Sequence, residues 1–137
     1  MPVTPYLFLD GRCEEAIEFY KKNLGAQVGM MMRFKEAPAD QKCSPGSENK
    51  IMHACITING APVMLSDGMA KNAPEFKGFS LSLDAKEASD GKRMFDALAQ
   101  GGQVQVPLAE TFFAKSFGMV ADKFGVGWMI IAGPKNP

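Results

Sequence analysis

The residues best suited to chemistry are a histidine and a cysteine two positions apart. His53 is the only histidine of the chain, and Cys55 follows it at i+2 in a predicted β-strand, so both side chains point to one face. His53 could act as an acid, a base or a hydrogen-bond donor to a substrate. The alternative is a structural histidine that Ser66 or a backbone carbonyl satisfies. A soft metal would need a third ligand. A Cys55 nucleophile would be poorly aligned with a His53 base, because side chains on one face point in parallel.

The neighbours of these two residues follow from a turn at Asn59-Gly60. Asn-Gly favours a two-residue type I′ turn, in which both residues have positive φ, and here it joins predicted strands at Ile51–Ile58 and Ala61–Ser66. Directly opposite residues of such a hairpin share a face. The face that mixes polar and sulfur-containing groups, as a pocket wall would, consists of His53, Cys55, Met64 and Ser66. The aliphatic face, suited to contact with a helix, consists of Ala54, Ile56, Val63 and Leu65.

A second group of candidate residues follows from alternation later in the chain. Phe79, Leu81 and Leu83 alternate with two serines. We expect the apolar set to pack under the helices, which leaves Ser80 and Ser82 on the open face.

The elements that position these residues occur twice in the chain. Residues 7–10 read Leu-Phe-Leu-Asp, and residues 81–84 read Leu-Ser-Leu-Asp. Each copy is followed by an amphipathic helical stretch, then by a glycine that ends it, then by Gln-Val at Gln27 or Gln103. The same order at a nearly constant offset predicts two copies of one βαβββ unit.

The remaining strands complete an α+β architecture. Besides the hairpin, the predicted strands are Val28–Phe34, Gln103–Leu108, Phe117–Ala121 and Trp128–Ile131. The polar stretch Lys35–Asn49 is predicted to be a mobile loop, and Asp67–Lys77 a connection between the halves. We therefore expect one domain of two modules, residues 1–68 and 78–137. Their eight strands should form a cupped, mostly antiparallel sheet with helices on one face.

The composition restricts the class of partner. The 137 residues carry fifteen acidic and fifteen basic side chains, so no net field favours nucleic acid or an anionic membrane. No apolar run reaches the ~20 residues of a membrane span, and the N-terminus has no signal-peptide pattern. The cysteines Cys13, Cys43 and Cys55 form no Cys-x-x-Cys pair, which favours reduced thiols. We expect a soluble, cytoplasmic protein whose partner is an unidentified small molecule.

Motifs spread over nearly the whole chain resemble one known superfamily. They are Pro5-Tyr6, Glu15-Ala16 leading to Phe19-Tyr20, Leu24-Gly25-Ala26, His53-Ala54, Met64-Leu65-Ser66-Asp67, Gly78-Phe79, and Asp122-Lys123-Phe124-Gly125 leading to Trp128. In this order and spacing they are similar to the vicinal oxygen chelate superfamily of glyoxalases, bleomycin-resistance proteins and extradiol dioxygenases. Within it the chain most resembles the PhnB-like family.

The resemblance implies paired βαβββ modules, a substrate cup and a homodimer. Metalloenzymes of the superfamily hold one divalent metal with four inward side chains, and the shared motifs place Pro5, Met64, Gly78 and Met129 at those positions. None of these is a histidine or a carboxylate, and a thioether is a poor ligand for a hard divalent ion. The resemblance therefore implies a chain without the usual metal, and with it without the Lewis acid of glyoxalase and dioxygenase chemistry. No other cofactor is predicted.

Because Met129 lies at one of these former ligand positions, we expect it to complete the floor of the site. The predicted ligand-binding set is His53, Cys55, Met64, Ser66, Ser80, Ser82 and Met129. His53 is the best candidate for catalysis. Elsewhere, Glu110 and Lys115 flank two phenylalanines in a predicted loop, where they could orient a substrate or form a solvated ion pair.

Three functions fit these observations. The one we favour is a metal-free protein that binds a small, partly apolar compound. The second is an enzyme of the lyase, isomerase or dioxygenase type, with a displaced metal or a metal-free acid–base mechanism. The third is a structural or regulatory dimer without a ligand. Some PhnB-like proteins carry the label demethylubiquinone methyltransferase. An adenosine-containing methyl donor needs a glycine-rich strand-to-helix turn, and here that turn, residues 10–13, has only Gly11.

Overall fold

The computed structural model describes residues 3–37, 46–68 and 74–135. They fall into two units, Met1–Pro74 and Glu75–Pro137. Each unit contains a strand, a helix and three further strands in the same order. The repeat predicted from the sequence is therefore present in the fold. Within the described residues, no helix is both long and apolar enough to cross a membrane.

The N-terminal unit is a four-stranded mixed sheet with one helix. Its elements are β1 (Tyr6–Phe8), α1 (Cys13–Leu24), β2 (Gln27–Arg33), β3 (Ile51–Ile58) and β4 (Ala61–Ser66). The strand order is β1-β4-β3-β2, with β1 parallel to β4 and the other pairs antiparallel. A short 3-10 turn at Phe34–Glu36 follows β2.

The C-terminal unit repeats this topology. Its elements are β5 (Leu81–Ala85), α2 (Ala88–Ala99), β6 (Gln103–Ala109), β7 (Ala114–Ala121) and β8 (Gly127–Pro134). The strand order is β5-β8-β7-β6, again with one parallel pair, β5 and β8. The eight strands thus form two hydrogen-bonded sheets of four. The prediction of an α+β fold with mostly antiparallel strands and two βαβββ modules is confirmed.

The hairpin of β3 and β4 has the register that its turn chemistry predicted. Asn59 and Gly60 have φ values of 52° and 83°, the positive values that a type I′ turn requires. Cys55 lies opposite Met64, and the pairs from Ala54 with Leu65 to Ile58 with Ala61 have the same register. A slip of one residue, which would have exchanged the two faces, is therefore absent from this hairpin.

Each helix covers one face of its sheet with a stripe of apolar side chains. In α1 the buried residues are Cys13, Ala16, Ile17 and Tyr20. The helix ends at Gly25, whose φ of 67° suits the left-handed position after a helix and whose N–H donates to the carbonyl of Tyr20. In α2 the buried residues are Gly91, Met94, Phe95 and Leu98. A methyl group at Gly91 would lie 3.0 Å from Cβ of Ala132, so the helix packs closely on β8.

A buried aspartate joins three elements of the N-terminal unit just beyond β4. The carboxylate of Asp67, 3% exposed, accepts hydrogen bonds from the backbone N–H of Cys13 at 2.9 Å and of Ile51 at 2.8 Å. Its own N–H donates to the Ile51 carbonyl. A buried carboxylate is stable only when hydrogen-bonded or paired. Asp67 therefore fixes the start of α1 and of β3 relative to the end of β4.

A second buried aspartate plays the corresponding part in the C-terminal unit. Asp122 lies in the turn between β7 and β8 and accepts hydrogen bonds from the backbone N–H of Phe124 and Val126. Its other oxygen accepts the indole N–H of Trp128 at 3.0 Å. Phe124 and Trp128 are buried. Residues 122–128, part of the family-like motif, are thus a structural turn and its core contacts.

The structure differs from the sequence-based prediction at several boundaries. Phe79 precedes β5 and is half exposed, so it does not pack under the helices as predicted. Strand β7 begins three residues earlier than Phe117. Residues 38–45 of the predicted loop, with Cys43, and residues 69–73 of the predicted connection lie outside the described residues.

Candidate functional site

The candidate site is built on the face of the N-terminal sheet opposite α1, here called the open face. Strand β1 runs parallel to β4 with Tyr6 level with Met64 and Phe8 level with Ser66. Leu7, between them, is 1% exposed on the helix side, whereas Tyr6 and Phe8 are 36% and 48% exposed. The open face therefore consists of Tyr6, Phe8, His53, Cys55, Met64 and Ser66.

The central contact of the open face joins a tyrosine and the histidine. The hydroxyl of Tyr6 lies 2.7 Å from Nδ1 of His53, and the two rings are 5.5 Å apart at 35°. The sequence indicated His53 as a candidate site residue and Tyr6 only as part of a family-like motif. The alternative prediction named Ser66 or a backbone carbonyl as the hydrogen-bond partner of His53. That partner is wrong, because the imidazole is bonded to the phenol of Tyr6 in β1.

An aromatic row extends from this pair. The rings of Tyr6 and Phe8 stack with centroids 5.0 Å apart and an interplanar angle of 27°. Because Phe8 is half exposed, part of its ring surface is available to a flat apolar group. The sequence signal that could have revealed this row is the alternation of aromatic residues with leucines over residues 6–9. Leu7 and Leu9 are buried, and the aromatic residues lie on the other face.

Ser66 is on the open face but is not exposed. It is 3% exposed, its oxygen accepts the backbone N–H of Gly68 at 2.8 Å, and a longer contact of 3.4 Å reaches the carbonyl of Ile51. Burial raises the pKa of the neighbouring Tyr6 hydroxyl, while a hydrogen bond with Ser66 acts in the opposite direction. Ser66 is thus held by hydrogen bonds to backbone groups and does not present a wide polar surface.

The thiols of the N-terminal unit have different surroundings. Cys55 is half-buried on the open face beside Met64, and its thiol is free. Cys13 is fully buried in α1, and burial, reinforced by the nearby carboxylates of Asp67 and Glu14, raises the pKa of its thiol to about 12. At neutral pH the Cys13 thiol is therefore protonated and serves as a core group.

Three predicted site residues belong to the C-terminal unit. Ser82, exposed on β5, lies level with Met129 of β8, and Met129 lies level with Met119 of β7. Ser80 is half-buried just before β5, next to Gly127. The structure therefore groups Ser82 with Met129 on one face, and it groups His53, Cys55, Met64 and Ser66 on a face of the other unit.

The residues at the metal positions that the resemblance implies do not fit a hard divalent ion. The Pro5 carbonyl accepts the N–H of Met64, Gly78 has no side chain, and Met129, like Met64, offers only a thioether. On the adjacent strands, Tyr6 is paired with Met64 and Ser82 with Met129, so neither methionine has a histidine or a carboxylate as its paired residue there. Within residues 3–37, 46–68 and 74–135, no group of three or more His, Cys, Asp or Glu side chains is placed to hold a metal.

The proposed pairing of Glu110 with Lys115 is wrong. The carboxylate of Glu110 forms its ion pair with Lys135, which also donates to the Thr111 carbonyl, and this salt bridge lowers the pKa of Glu110. The pair is a surface contact at the start of β7.

The fold of the chain is that of a known class of protein. The chain shares its fold with a glyoxylase/bleomycin resistance protein/dioxygenase domain from Frankia, with a TM-score of 0.62 over 100% of this chain and 95% of that one. At 16% identity this likeness concerns the fold alone. The two βαβββ modules thus have the same fold as a glyoxylase/bleomycin resistance protein/dioxygenase domain.

The family follows from closer matches. Residues 1–131 match the family described as 3-demethylubiquinone-9 3-methyltransferase, and the chain belongs to this PhnB-like family. It is 39% identical to Protein YjdN of Escherichia coli, over 100% of this chain and 99% of that protein.

Two solved structures are similar over nearly the whole chain. Protein PA1353 from Pseudomonas aeruginosa is 37% identical, covers 97% of this chain and 98% of its own, and gives a TM-score of 0.85. A putative 3-demethylubiquinone-9 3-methyltransferase, PhnB protein, from Bacillus cereus is 29% identical, with coverages of 97% and 100% and a TM-score of 0.81.

Proposed function

We propose that this protein binds a small, partly apolar organic molecule on the open face of its N-terminal sheet, without a metal at the superfamily's usual positions. The observation that carries the proposal is the Tyr6–His53 hydrogen bond, set among Met64, Cys55 and the half-exposed ring of Phe8. Binding sites for small molecules combine mainly apolar walls with a few polar groups that orient the ligand. This face has that composition.

The soft groups of the face suit a ligand of variable shape. A thioether is flexible and polarisable, so Met64 can adapt to different apolar surfaces. The rings of Tyr6 and Phe8 add a rigid, flat surface. The predicted contribution of Ser80, Ser82 and Met129 from the C-terminal unit stays a prediction.

A metal-free enzyme is the second candidate, and one observation favours it. An imidazole and a phenol in direct hydrogen bond can pass a proton, and His53 is of the residue type that most often serves as a general acid or base. Isomerisation or elimination next to a carbonyl would need such a group. A dimer without any ligand, the third candidate, does not account for the polar pair on this face.

We propose that methyl transfer, named in the family's description, is not the activity of this chain. The turn before α1 has one glycine, Gly11, and the first backbone N–H of the helix, at Cys13, already donates to the Asp67 carboxylate. A negative charge at this helix start opposes the binding of an anionic group of a cofactor there.

We further propose a cytoplasmic homodimer. The edge strands β2 and β6 are exposed along most of their length and carry apolar side chains, among them Met30 at 50% and Val104 at 44% exposure. Exposed apolar edges are usually covered by another chain or segment. Free thiols at Cys13 and Cys55 suit a reducing compartment. Sedimentation at micromolar concentration should give the mass of a dimer, and a monomer would contradict this.

The binding proposal is tested by a thermal-shift screen of small aromatic and carbonyl metabolites on the purified protein. A compound that binds the native state raises the melting temperature, and above Kd the stabilisation grows with the logarithm of its concentration. For the best compound, His53→Ala should weaken binding by ~0.5–1.5 kcal/mol, the contribution of one hydrogen bond, with little change in the free energy of unfolding.

The control for this experiment is Lys22→Ala, a change of an exposed residue on α1, on the other side of the sheet from the open face. It should leave both affinity and stability unchanged. If His53→Ala unfolds easily and still binds the compound normally, His53 is a structural residue and the open face is not the site. Turnover of the compound, seen by product analysis, would instead favour the metal-free enzyme.

A further inference from the structure

The single histidine has one hydrogen-bond partner in the described structure, the Tyr6 hydroxyl, which lies 2.7 Å from its Nδ1. The serine beneath this pair is bonded differently. The N–H of Gly68 can only donate, and it donates to the Ser66 oxygen at 2.8 Å. That oxygen is therefore an acceptor in this contact, and the Ser66 hydroxyl itself donates to the Ile51 carbonyl at 3.4 Å. Ser66 is thus bonded to two backbone groups, whereas the Tyr6 hydroxyl is bonded to His53.

The direction of the Tyr6–His53 contact follows from the chemistry of its two groups. A phenol is a good donor and a weak acceptor, whereas an unprotonated imidazole nitrogen is a strong acceptor. At 2.7 Å the contact has the length of a normal O–H donor bond. With Tyr6 donating to Nδ1, the ring proton of neutral His53 must reside on Nε2, because the bond made by one ring nitrogen decides the state of the other.

The second ring nitrogen is left for a ligand. Among the described residues, Nε2 of His53 has no hydrogen-bond partner, and the side chain is only half-buried on the open face. A neutral histidine fixed in this tautomer presents one N–H donor and no acceptor at that point. A ligand group that also donates would meet a donor and lose its own hydrogen bond.

We propose that Tyr6 is a positioning residue that holds His53 as the Nε2–H tautomer, so that this face selects aromatic compounds by a carbonyl, carboxylate or phenolate oxygen. The aromatic part of the ligand would lie along the rings of Tyr6 and Phe8. This inference rests on the proposed function for its ligand, but the tautomer can be tested without any ligand.

The first test uses the fact that the chain has one histidine, so its ring nitrogens need no assignment. A long-range ¹H–¹⁵N spectrum of the full chain at pH 8 should show Nδ1 in the unprotonated range and Nε2 in the protonated range. In Tyr6→Phe, which keeps the ring but removes the hydroxyl, both signals should move toward an averaged mixture. Tyr20→Phe changes the only other tyrosine and should leave the spectrum as in the wild type. An Nδ1–H tautomer in the wild type, or no change in Tyr6→Phe, would overturn the role of Tyr6.

The second test compares two probes of similar shape, benzoate and benzylamine. Benzoate should shift the Nε2–H signal and bind, whereas benzylamine should bind at least 10-fold more weakly. Tyr6→Phe should weaken benzoate binding about 2- to 10-fold, the effect of one hydrogen bond. Equal binding of the two probes would refute the selection of an acceptor oxygen. If neither probe binds while the tautomer is as expected, the proposed binding function fails and the role of Tyr6 stands.

Discussion

Gly68 lies directly against the ring of Phe8. A methyl group at Gly68 would be 2.4 Å from Cδ1 of Phe8, a distance that real Cβ atoms do not show, and its φ is 63°. The same glycine donates its N–H to Ser66. Gly68 therefore supports the open face twice, through the position of the Phe8 ring and through its hydrogen bond to Ser66.

Gly68→Ala should destabilise the protein more than a glycine change that costs only backbone strain. The matched control is Gly25→Ala, because Gly25 has nearly the same φ, 67°, and a methyl group there would meet nothing within 4 Å. We expect about 1 kcal/mol for Gly25→Ala from the left-handed conformation. For Gly68→Ala we expect a further ~1–3 kcal/mol, or a displaced Phe8 ring. Urea unfolding measures the free energy of unfolding, and aromatic ¹H chemical shifts report a displacement of the Phe8 ring. Equal free energies of unfolding with unchanged ring shifts would refute the contact.

Asp67→Asn should be strongly destabilising. The two carboxylate oxygens of Asp67 each accept a backbone N–H, and an asparagine would turn an NH₂ group toward one of those donors. We expect a loss of ~2–4 kcal/mol in the free energy of unfolding, measured by urea titration with circular dichroism. The control is Asp96→Asn, which breaks an exposed pair with Lys92 and should cost less than about 1 kcal/mol. A similar small effect at both positions would contradict the anchoring role of Asp67.

The hairpin could be predicted from the sequence because its signals are local. Asn59-Gly60 determines the turn type, the turn determines the register, and β3 and β4 have the predicted bounds. The start of β7 could not be predicted in this way. Thr111 accepts the N–H of Ala114 through its hydroxyl and donates its own N–H to the Ala114 carbonyl, so pairing begins three residues before Phe117. That turn depends on a side-chain contact that periodicity does not encode.

The candidate site could be predicted only within one hairpin. His53, Cys55 and Met64 share a face as their spacing predicted. Tyr6 was missed because it reaches His53 through a parallel pairing of β1 with β4, and no short turn fixes that register. The burial of Ser66 was missed for another reason. It depends on Gly68, whose N–H turns back to the serine oxygen just beyond the end of the strand.

The purified protein should contain no stoichiometric divalent metal. The four implied metal positions carry no side chain that a hard divalent ion prefers. Met64 and Met129 offer thioethers, Pro5 offers only its ring, and Gly78 has no side chain. Elemental analysis after mild purification should therefore give far less than one equivalent of zinc, nickel, manganese or iron. EDTA should leave the melting temperature unchanged, because no native-state ligand is removed. About one equivalent of any of these metals, with a lower melting temperature in EDTA, would contradict the prediction.

Stability should fall with rising pH above about pH 9, in part through Cys13. Burial raises the pKa of this thiol to about 12, from an ordinary value of about 9 in the unfolded chain. Between these values the unfolded chain loses the thiol proton while the folded chain keeps it. The folded state then binds more protons, so the free energy of unfolding decreases as pH rises. Between pH 8 and pH 10 the loss from Cys13 should be roughly 1 kcal/mol, since one pKa unit corresponds to about 1.4 kcal/mol.

Comparison of Cys13→Ala with the wild type isolates this contribution. Removing the buried sulfur lowers the stability of the variant at every pH. The relevant quantity is therefore how steeply the free energy of unfolding falls with pH in the variant and in the wild type. The variant's free energy of unfolding, measured in urea at pH 8, 9 and 10, should fall by roughly 1 kcal/mol less than that of the wild type. Cys55→Ala, at a half-buried thiol on the open face, is the control and should fall in parallel with the wild type. Parallel curves for all three proteins would show that Cys13 ionises as readily in the folded as in the unfolded chain, against its position in the core of α1.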